Sequence, residues 1–598
     1  MKTARSILSA LLLGCTAAYG QNLPGAPGAA AAAISPQAPA LGDALVATDA
    51  LGRALPGYDE AGPRRPGRYV GLFYWLWHGP LRNGTGEFDI SKVLEKEPER
   101  RQWPFLAYYW GEPEMGYYRS DDEYAMRRHL NLFCLLGIDF LYLDFTNLVI
   151  DKPELRLLLR LTRELREAGC SPPRLVPFFN TNPVPKIEEF YREFYLDTTY
   201  RDEWFVLDGK PLVLSPARHP TDTALNASFT WRRMWAGRDA DGFWHYFDDY
   251  PQTPARRADG RPEQIAVAPG KGAPLWDYPV YGSKSSTTSS TPVYDRYWMS
   301  DRTGEGLFFE EQWKGAYEQQ PMIVCVTGWN EWKAEAWPAT PELEAARIMF
   351  QGRQLRQGES YFVDEFNGEF NRDLEPEAGE RSDNYFYQLA AHVRRYKGMD
   401  APPESSPKRT VRIDGRFGEW AGVRPVFTDF AGDAAVRDAA GAPPGIRYAN
   451  ATGRNDIVES RVAWDSRYIY FYVRTAAPLS PRSDPGWMLL FLDTDRDKRT
   501  GWEGYDFMLN GEMPSAEKTV LKKRDGNGWK PVAECDYRAN GCEMEIAVPR
   551  RSLGLAGGKP DFGFHWMDNM QRPDDIREFF VNGDSAPERR YDYHYRAR

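Results

Sequence analysis

Glu331 stands between two indoles in Trp329-Asn330-Glu331-Trp332, directly after the apolar run Met322-Ile323-Val324-Cys325-Val326. A short β-branched run reads as a buried strand, and a parallel α/β barrel gathers its chemistry at the carboxyl ends of its strands. Hydrolysis of a glycosidic bond needs two carboxyl groups, one to protonate the leaving oxygen and one to act as base or nucleophile. Glu331 is the first candidate, because two flanking indoles predict a water-poor pocket that raises its pKa toward that of a general acid. Glu335 shares the site if the loop continues helically. Asp144, which closes Leu141-Tyr142-Leu143, is the other candidate partner; its alternative role is to cap the loop that follows.

Groups that could hold a substrate surround these carboxylates in the sequence. Trp75, Trp77, Tyr108, Tyr109 and Trp110 are candidate stacking platforms, since the C–H faces of sugars pack on π surfaces. Trp329, Asn330 and Trp332 accompany Glu331, and Asn180 ends another strand as an amide that binds without titrating. His78 and His245 follow aromatic strands, as candidate contacts or as structural imidazoles. Glu112 and Glu114, in Gly111-Glu112-Pro113-Glu114, are acidic loop residues beside the aromatic set. With aromatics at 14% of the chain, some of these rings must be core.

The elements that would position them alternate strand and helix. Tyr69 to His78 reads as a strand; Ser120-Asp121-Asp122-Glu123 as a capping box for a helix ending at Gly137; Ile138 to Phe145 as a strand. Asp151 and Pro153 open a helix ending at Gly169, and Leu175 to Phe179 is a further strand. Weaker strands follow at Pro211 to Leu214, Trp244 to Phe247 and Gln264 to Val267, then the Met322 run, a helix from Thr340-Pro341-Glu342 and a last helix over Asp383 to Tyr396. This βαβα order predicts parallel strands in one sheet, and residues 67–398 fit a (β/α)8 barrel. Residues 399–409, with Ala401-Pro402-Pro403, form a linker. From 410 to 598 short alternating strands at Ser460 to Trp464, Tyr468 to Val473, Met488 to Leu492 and Met544 to Val548 predict an antiparallel β-sandwich. The fold class is therefore α/β, a (β/α)8 barrel followed by an antiparallel β-sandwich domain.

Composition indicates an exported chain. Lys2, Arg5, the apolar Ile7 to Gly14 and Ala18-Tyr19-Gly20 read as a signal peptide over residues 1–20, while Leu12-Leu13-Gly14-Cys15 offers a lipid anchor at Cys15 as the alternative. The expected location is secreted or periplasmic, or the outer membrane if Cys15 is lipidated. Residues 21–66, with five alanines from Ala29, read as a linker. No run approaches the ~20 apolar residues of a membrane span. Removing residues 1–20 takes away two cations and no acid, so the net charge moves from −10 to −12, a surface that repels nucleic acid and anionic lipid. Six cysteines are too few for a disulfide framework; Cys535 and Cys542 either pair across a turn or stay free. No Cys/His set has zinc-site spacing, and no cofactor or metal is expected at the barrel.

In the C-terminal part Asp493-Thr494-Asp495-Arg496-Asp497 opens like an EF-hand, but Lys498 stands where Gly is needed and Gly504 where Glu is needed. A charged hairpin is one reading and another calcium geometry using Glu503 or Asp506 is the other. Trp420, Trp464, Trp502 and Trp566 are candidate accessory glycan contacts, or core.

These residues resemble known families. Phe73 to His78, Trp110-Gly111-Glu112-Pro113-Glu114, Leu143 to Asn147, Gly328 to Trp332, Phe362-Val363-Asp364-Glu365-Phe366 and Asp373-Leu374-Glu375-Pro376 are similar to segments of glycoside hydrolase family 99-like proteins, related to families 71 and 99 and to the WbsX-like group. The resemblance spans residues 68–398 and implies a (β/α)8 fold acting on glycosidic linkages. Family 99 enzymes carry two glutamates three apart; Glu331 and Glu335 are four apart, so neither that family's epoxide mechanism nor its mannoside specificity is implied. Residues 410–598 resemble a family 9 carbohydrate-binding module through Ile413-Asp414-Gly415, Glu419-Trp420, Ala463-Trp464-Asp465 and Met544 to Pro549. The expectation is an exported glycoside hydrolase degrading a polysaccharide or glycan; the alternative is a non-catalytic glycan-binding surface protein with a degenerate barrel site.

Overall fold

The computed structural model describes residues 34–81, 87–147, 149–235, 243–270, 302–347, 349–350, 353–362, 366–379 and 381–598. The expected signal peptide over residues 1–20, Cys15 and residues 363–365 lie outside the described residues. Eight parallel strands form the first domain: β1 (Tyr69–Tyr74), β2 (Phe140–Phe145), β3 (Arg174–Phe179), β4 (Lys210–Leu214), β5 (Thr230–Trp235), β6 (Phe243–His245), β7 (Pro262–Val267) and β8 (Ile323–Val326). They hydrogen-bond in the order β7-β8-β1-β2-β3-β4-β5-β6. At the remaining seam the Gln264 side-chain amide of β7 replaces a backbone ladder. It donates to the His245 carbonyl at 2.8 Å and accepts from the His245 amide at 2.9 Å. The ring is thus nearly closed, and β5, unmarked in the sequence reading, completes eight.

Alternation along the strands divides the buried residues between two sides. Phe73, Phe140, Tyr142, Phe178, Met234, Trp244 and Cys325 form the cluster inside the ring. Val70, Leu72, Leu141, Leu143, Val213, Ile265 and Val324 join the core under the helices. Gly71 is glycine because a Cβ there would drive into the Phe140 ring. Helices α1 (Glu123–Leu136), α2 (Lys152–Glu167), α3 (Leu307–Gln319) and α4 (Asn384–Lys397) pack outside. The cap of α1 is Asp122, which accepts from the Ala125 amide, and Gly137 ends it in the left-handed region at φ 68°. The predicted Ser120 cap is spent elsewhere, on His78.

Residues 34–66 correct the linker reading. Leu45–Ala47 is a strand paired with Tyr591–Arg596 at the edge of the C-terminal sheet. The buried Arg394 guanidinium donates to the carbonyls of Gly42, Leu45 and Pro56, and Asp139 accepts from the Ala38 amide at 2.7 Å. Small residues let this segment approach closely, Ala40 against Gly137 for instance, and buried charges supply the bonds that a low-hydrophobicity stretch cannot obtain from apolar area.

After an exposed connection over 401–409, residues 410–598 hold one antiparallel sheet of twelve strands, which includes Leu45–Ala47. It folds over itself so that Phe471 meets Phe562 and Phe564, and Trp566 reaches Ser460 at 3.0 Å. The two layers of a sandwich are therefore halves of a continuous sheet. Cys535 and Cys542 are free thiols; Asp536 pairs with Ala547 and Asn540 with Glu543 in the hairpin, which leaves Cys535 far along the strand from the turn that holds Cys542. The sandwich docks on the barrel through Arg437–Asp122, Glu588–Arg128, Arg589–Glu114 and Arg590–Asp383 pairs. Among the described residues no helix is long and apolar enough to cross a membrane.

Candidate active site at the barrel mouth

Beyond β8 the chain turns through Thr327-Gly328 into the 329–332 loop. Residues 371–376 run alongside it, with the Gly328 amide on the Arg372 carbonyl and the Leu374 and Glu375 amides on the Trp329 carbonyl. Gly328 admits no side chain because its Cβ would lie 2.5 Å from the Trp75 ring. Two buried carboxylates of this parallel segment lock the loop. Asp373 accepts from the Glu331 amide at 2.5 Å and from the Trp110 indole at 3.0 Å. Glu375 accepts from the Trp332 indole at 2.6 Å and the Tyr118 hydroxyl at 2.7 Å.

The indoles consequently face away from solvent. Trp329 packs on Phe133 and His129, and Trp332 stacks on Trp110 with centroids 4.6 Å apart. Trp75, Tyr109, Trp110, Trp329 and Trp332 are all at most 3% exposed, so the structure assigns these predicted platforms to the core. Asn330 is also structural: its amide bonds the Trp75 backbone on both sides, at 2.9 and 3.1 Å. The apolar pocket expected around Glu331 is replaced by a charged one. The Arg372 guanidinium contacts the Glu331 carboxylate and lies 4.9 Å over the Phe247 ring.

Strand alternation decides the rest of the mouth. Asp144 and Asn180 continue the inward registers of Phe140-Tyr142 and Val176-Phe178, so both belong to the mouth side of their strands. Asp144 also caps its own loop through Thr146, at 3.0 and 2.6 Å. In β6 the inward residues are Trp244 and the following Tyr246, while His245 pairs with Gln264 and with Asp248 at 3.1 Å. Burial pushes the Tyr246 phenol well above its ordinary value, and the charges that act on it are those of Arg372, Glu331 and Asp144. His78, 1% exposed, stacks on half-buried Trp77 and is pushed well below its ordinary value by burial and by Lys333.

Glu335 corrects the helical expectation. Lys333–Pro338 is a strand paired with Ala107–Tyr109, and an extended chain carries Glu335 about 3.3 Å per residue away from the mouth. Its exposed carboxylate accepts from Trp337 at 3.2 Å. Glu112 pairs with Lys92, and Glu114 with Arg589 of the sandwich.

Sequence reasoning missed Arg372, Asp373, Lys333, Tyr246 and Asp151. Lys333 lies 6% exposed, 5.0 Å from the Trp77 ring, and burial lowers its amine to about 8. Asp151, the residue before α2, is raised to about 6 by burial and by the charges of Glu154 and Asp144. The signal for Tyr246 was present in the period of two; Arg372 and Asp373 lie some 40 residues from Glu331 and had none beyond resemblance.

In the sandwich Trp420, Trp464, Trp502 and Trp566 are all buried. Trp420 bonds Glu545 at 2.9 Å and stacks on Tyr472. Trp502 alone of the four lines an open cleft of about 530 Å³, with Trp487, Trp529 and Met570. Asp493, Asp495 and Asp506 bring carboxylate oxygens within 4.8 Å of one another. However, the Lys498 ammonium lies 3.4 Å from Asp493, and Glu503 is paired with Arg590.

No family model and no curated protein matches the chain. Among solved structures, a GH99 endo-alpha-mannosidase from Bacteroides thetaiotaomicron is similar at TM-score 0.34 and 15% identity, covering 55% of this chain and 97% of that one. The complex of that mannosidase with bis-tris-propane gives 0.34 and 14%, with 55% and 97% covered. A glycoside hydrolase-like protein gives 0.31 and 14%, with 56% and 95% covered.

Proposed function

We propose that the chain is an exported glycoside hydrolase that cleaves a polysaccharide or glycan at the barrel mouth. The carrying observation is that Asp144 and Glu331 both stand at the carboxyl end of the ring, one near the end of β2 and the other just after β8, with Arg372 against the Glu331 carboxylate. Carboxylates gathered there are what glycosidic hydrolysis requires. Paired with Arg372, Glu331 suits a base or nucleophile. Asp151, titrating near 6 beside Asp144, suits the proton donor, following the rule that unlike environments separate acid from base. Half-buried Trp77, with Lys333 and Asn180, would bind the sugar. Export rests on the Lys2 to Gly20 leader, with lipidation of Cys15 as its variant, and substrate identity is not carried by a likeness at TM-score 0.34.

A second reading, a glycan-binding protein without turnover, is favoured by the same ion pair, which occupies Glu331, and by the displacement of Glu335. The deciding experiment incubates the purified chain with a panel of polysaccharides and measures released reducing ends. Glu331→Gln and Asp151→Asn are expected to lower the rate by roughly 10²–10⁴, the usual worth of an acid or base. Glu331→Gln turning over at the wild-type rate would refute the assignment; tight binding with no released ends from the wild type selects the second reading.

A further inference from the structure

Three aspartates distant in sequence meet where the sandwich docks on the barrel. Asp433, Asp456 and Asp584 each present one carboxylate oxygen, and the three oxygens lie within 4.8 Å of one another. Asp433 and Asp584 are 7% and 4% exposed. Backbone amides take one oxygen of Asp456, from Gly432 at 2.8 Å, and one of Asp584, from Ile457 at 2.6 Å. The buried Oδ1 atoms of Asp433 and Asp456 and Oδ2 of neighbouring Asp429 have no hydrogen-bond partner.

Neighbouring cations are committed elsewhere: Arg128 to Glu588 at 2.8 Å and Arg454 to Asp568 at 2.7 Å. Among the described residues none of the four aspartates has an ion pair. Burial, then mutual repulsion, pushes Asp429 and Asp433 well above the carboxylate range; Asp584 is raised by burial and by Asp456 and Glu588. An uncompensated buried carboxylate is costly, and a cluster of them is costlier.

We propose that Asp433, Asp456 and Asp584, with Asp429 beside them, hold a calcium ion that fixes the sandwich on the barrel. The donors are oxygen only, which selects a hard cation over zinc or copper. Calcium takes six to eight oxygens at about 2.3–2.6 Å in a flexible shell, whereas magnesium demands a near-ideal octahedron and keeps several waters, so a buried cluster of carboxylates selects calcium. Two of the ligand segments lead to docking contacts. Asp433 precedes Arg437, which bonds Asp122 of the barrel at 2.8 Å, and Asp584 precedes Glu588 and Arg589, which pair with Arg128 and Glu114. An ion here therefore ties three chain segments together at the joint.

The test titrates calcium chloride into the EDTA-treated full chain, by calorimetry and by thermal melting. Wild type is expected to bind with an unfolding temperature several degrees higher. The double variant Asp433→Asn/Asp584→Asn is expected to lose at least 100-fold in affinity, yet to melt in EDTA close to wild type because each amide keeps the size of the carboxyl it replaces; that readout separates lost binding from lost folding. Asp495→Asn, in the Asp493–Asp506 loop, should leave binding intact. The proposal falls if wild type binds no calcium at about 5 mM, above the range of weak extracellular modules. It falls equally if Asp495→Asn alone abolishes binding, or if magnesium raises the melting temperature as much as calcium.

Discussion

Arg372→Met is expected to be among the most destabilising substitutions near the mouth, and Glu331→Leu in the same chain to reverse most of the loss. Arg372 is 2% exposed and Glu331 8% exposed, so neither charge is well solvated. At an effective dielectric near 20, unit charges about 4 Å apart attract by about 4 kcal/mol. Removing the guanidinium alone takes from the buried Glu331 carboxylate the cation that contacts it, a change worth roughly 3–5 kcal/mol. Methionine keeps the aliphatic stem but not the guanidinium that lies over Phe247, so the double variant is what separates the ion pair from that contact. Urea unfolding followed by tryptophan fluorescence on wild type, both single variants and the double gives the coupling energy. A value above about 2 kcal/mol is expected, whereas additivity within about 0.5 kcal/mol would refute the buried pair.

Lys333, lowered from 10.5 to about 8, is neutral in the folded chain and charged in the unfolded one between those values. Stability should therefore rise with pH from 8 to 10.5 through this group, and pH-dependent urea unfolding of Lys333→Met should lose that slope. Asp151, raised from 3.8 to about 6, acts in the opposite sense: the folded chain holds its proton longer, so this group's contribution falls as pH climbs from about 4 to 6, and Asp151→Asn should abolish that fall. If Asp151 is the proton donor, the rate on a confirmed glycan declines above pH 6 in wild type; an unchanged profile in Asp151→Glu would exclude it. Deleting residues 1–47 should lower the melting temperature by removing the edge strand Leu45–Ala47, whereas deleting 1–33 should spare it; equal melting of the two would count against the docked N-terminal segment. Trp566→Ala should cost about 3–5 kcal/mol as a core cavity, while Trp529→Ala, in the open cleft, should change glycan binding and leave stability near wild type.

Much of the architecture was legible because period and punctuation are local. Gly137, Gly169 and Gly398 end helices or follow them, Pro and Asp start them, and β-branched runs gave β8 and its neighbours. β5 escaped because Thr230-Trp231-Arg232-Arg233-Met234 mixes charge into a strand, where Arg232, on the same side as Met234, is paired with Glu263 and Asp208. Residues 34–66 escaped because composition weighs apolar area, and this segment is held by Arg394 and by the Lys397–Asp139 pair instead. At the site, position at a strand's carboxyl end marked Asp144, but alternation was not applied to β6, where it separates Tyr246 from His245.

The sequence alone determined that Glu331 follows a barrel strand, because a short apolar run and its exit residues are neighbours in the chain. Its surroundings were decided only by tertiary structure. Arg372, Asp373 and Glu375 arrive from 40 residues away, turn the two indoles into the core and leave a guanidinium against the carboxylate. Local pattern fixes which face of an element a residue occupies; the charge and hydrogen bonds it meets there depend on segments brought beside it by folding, and no period along the chain records them.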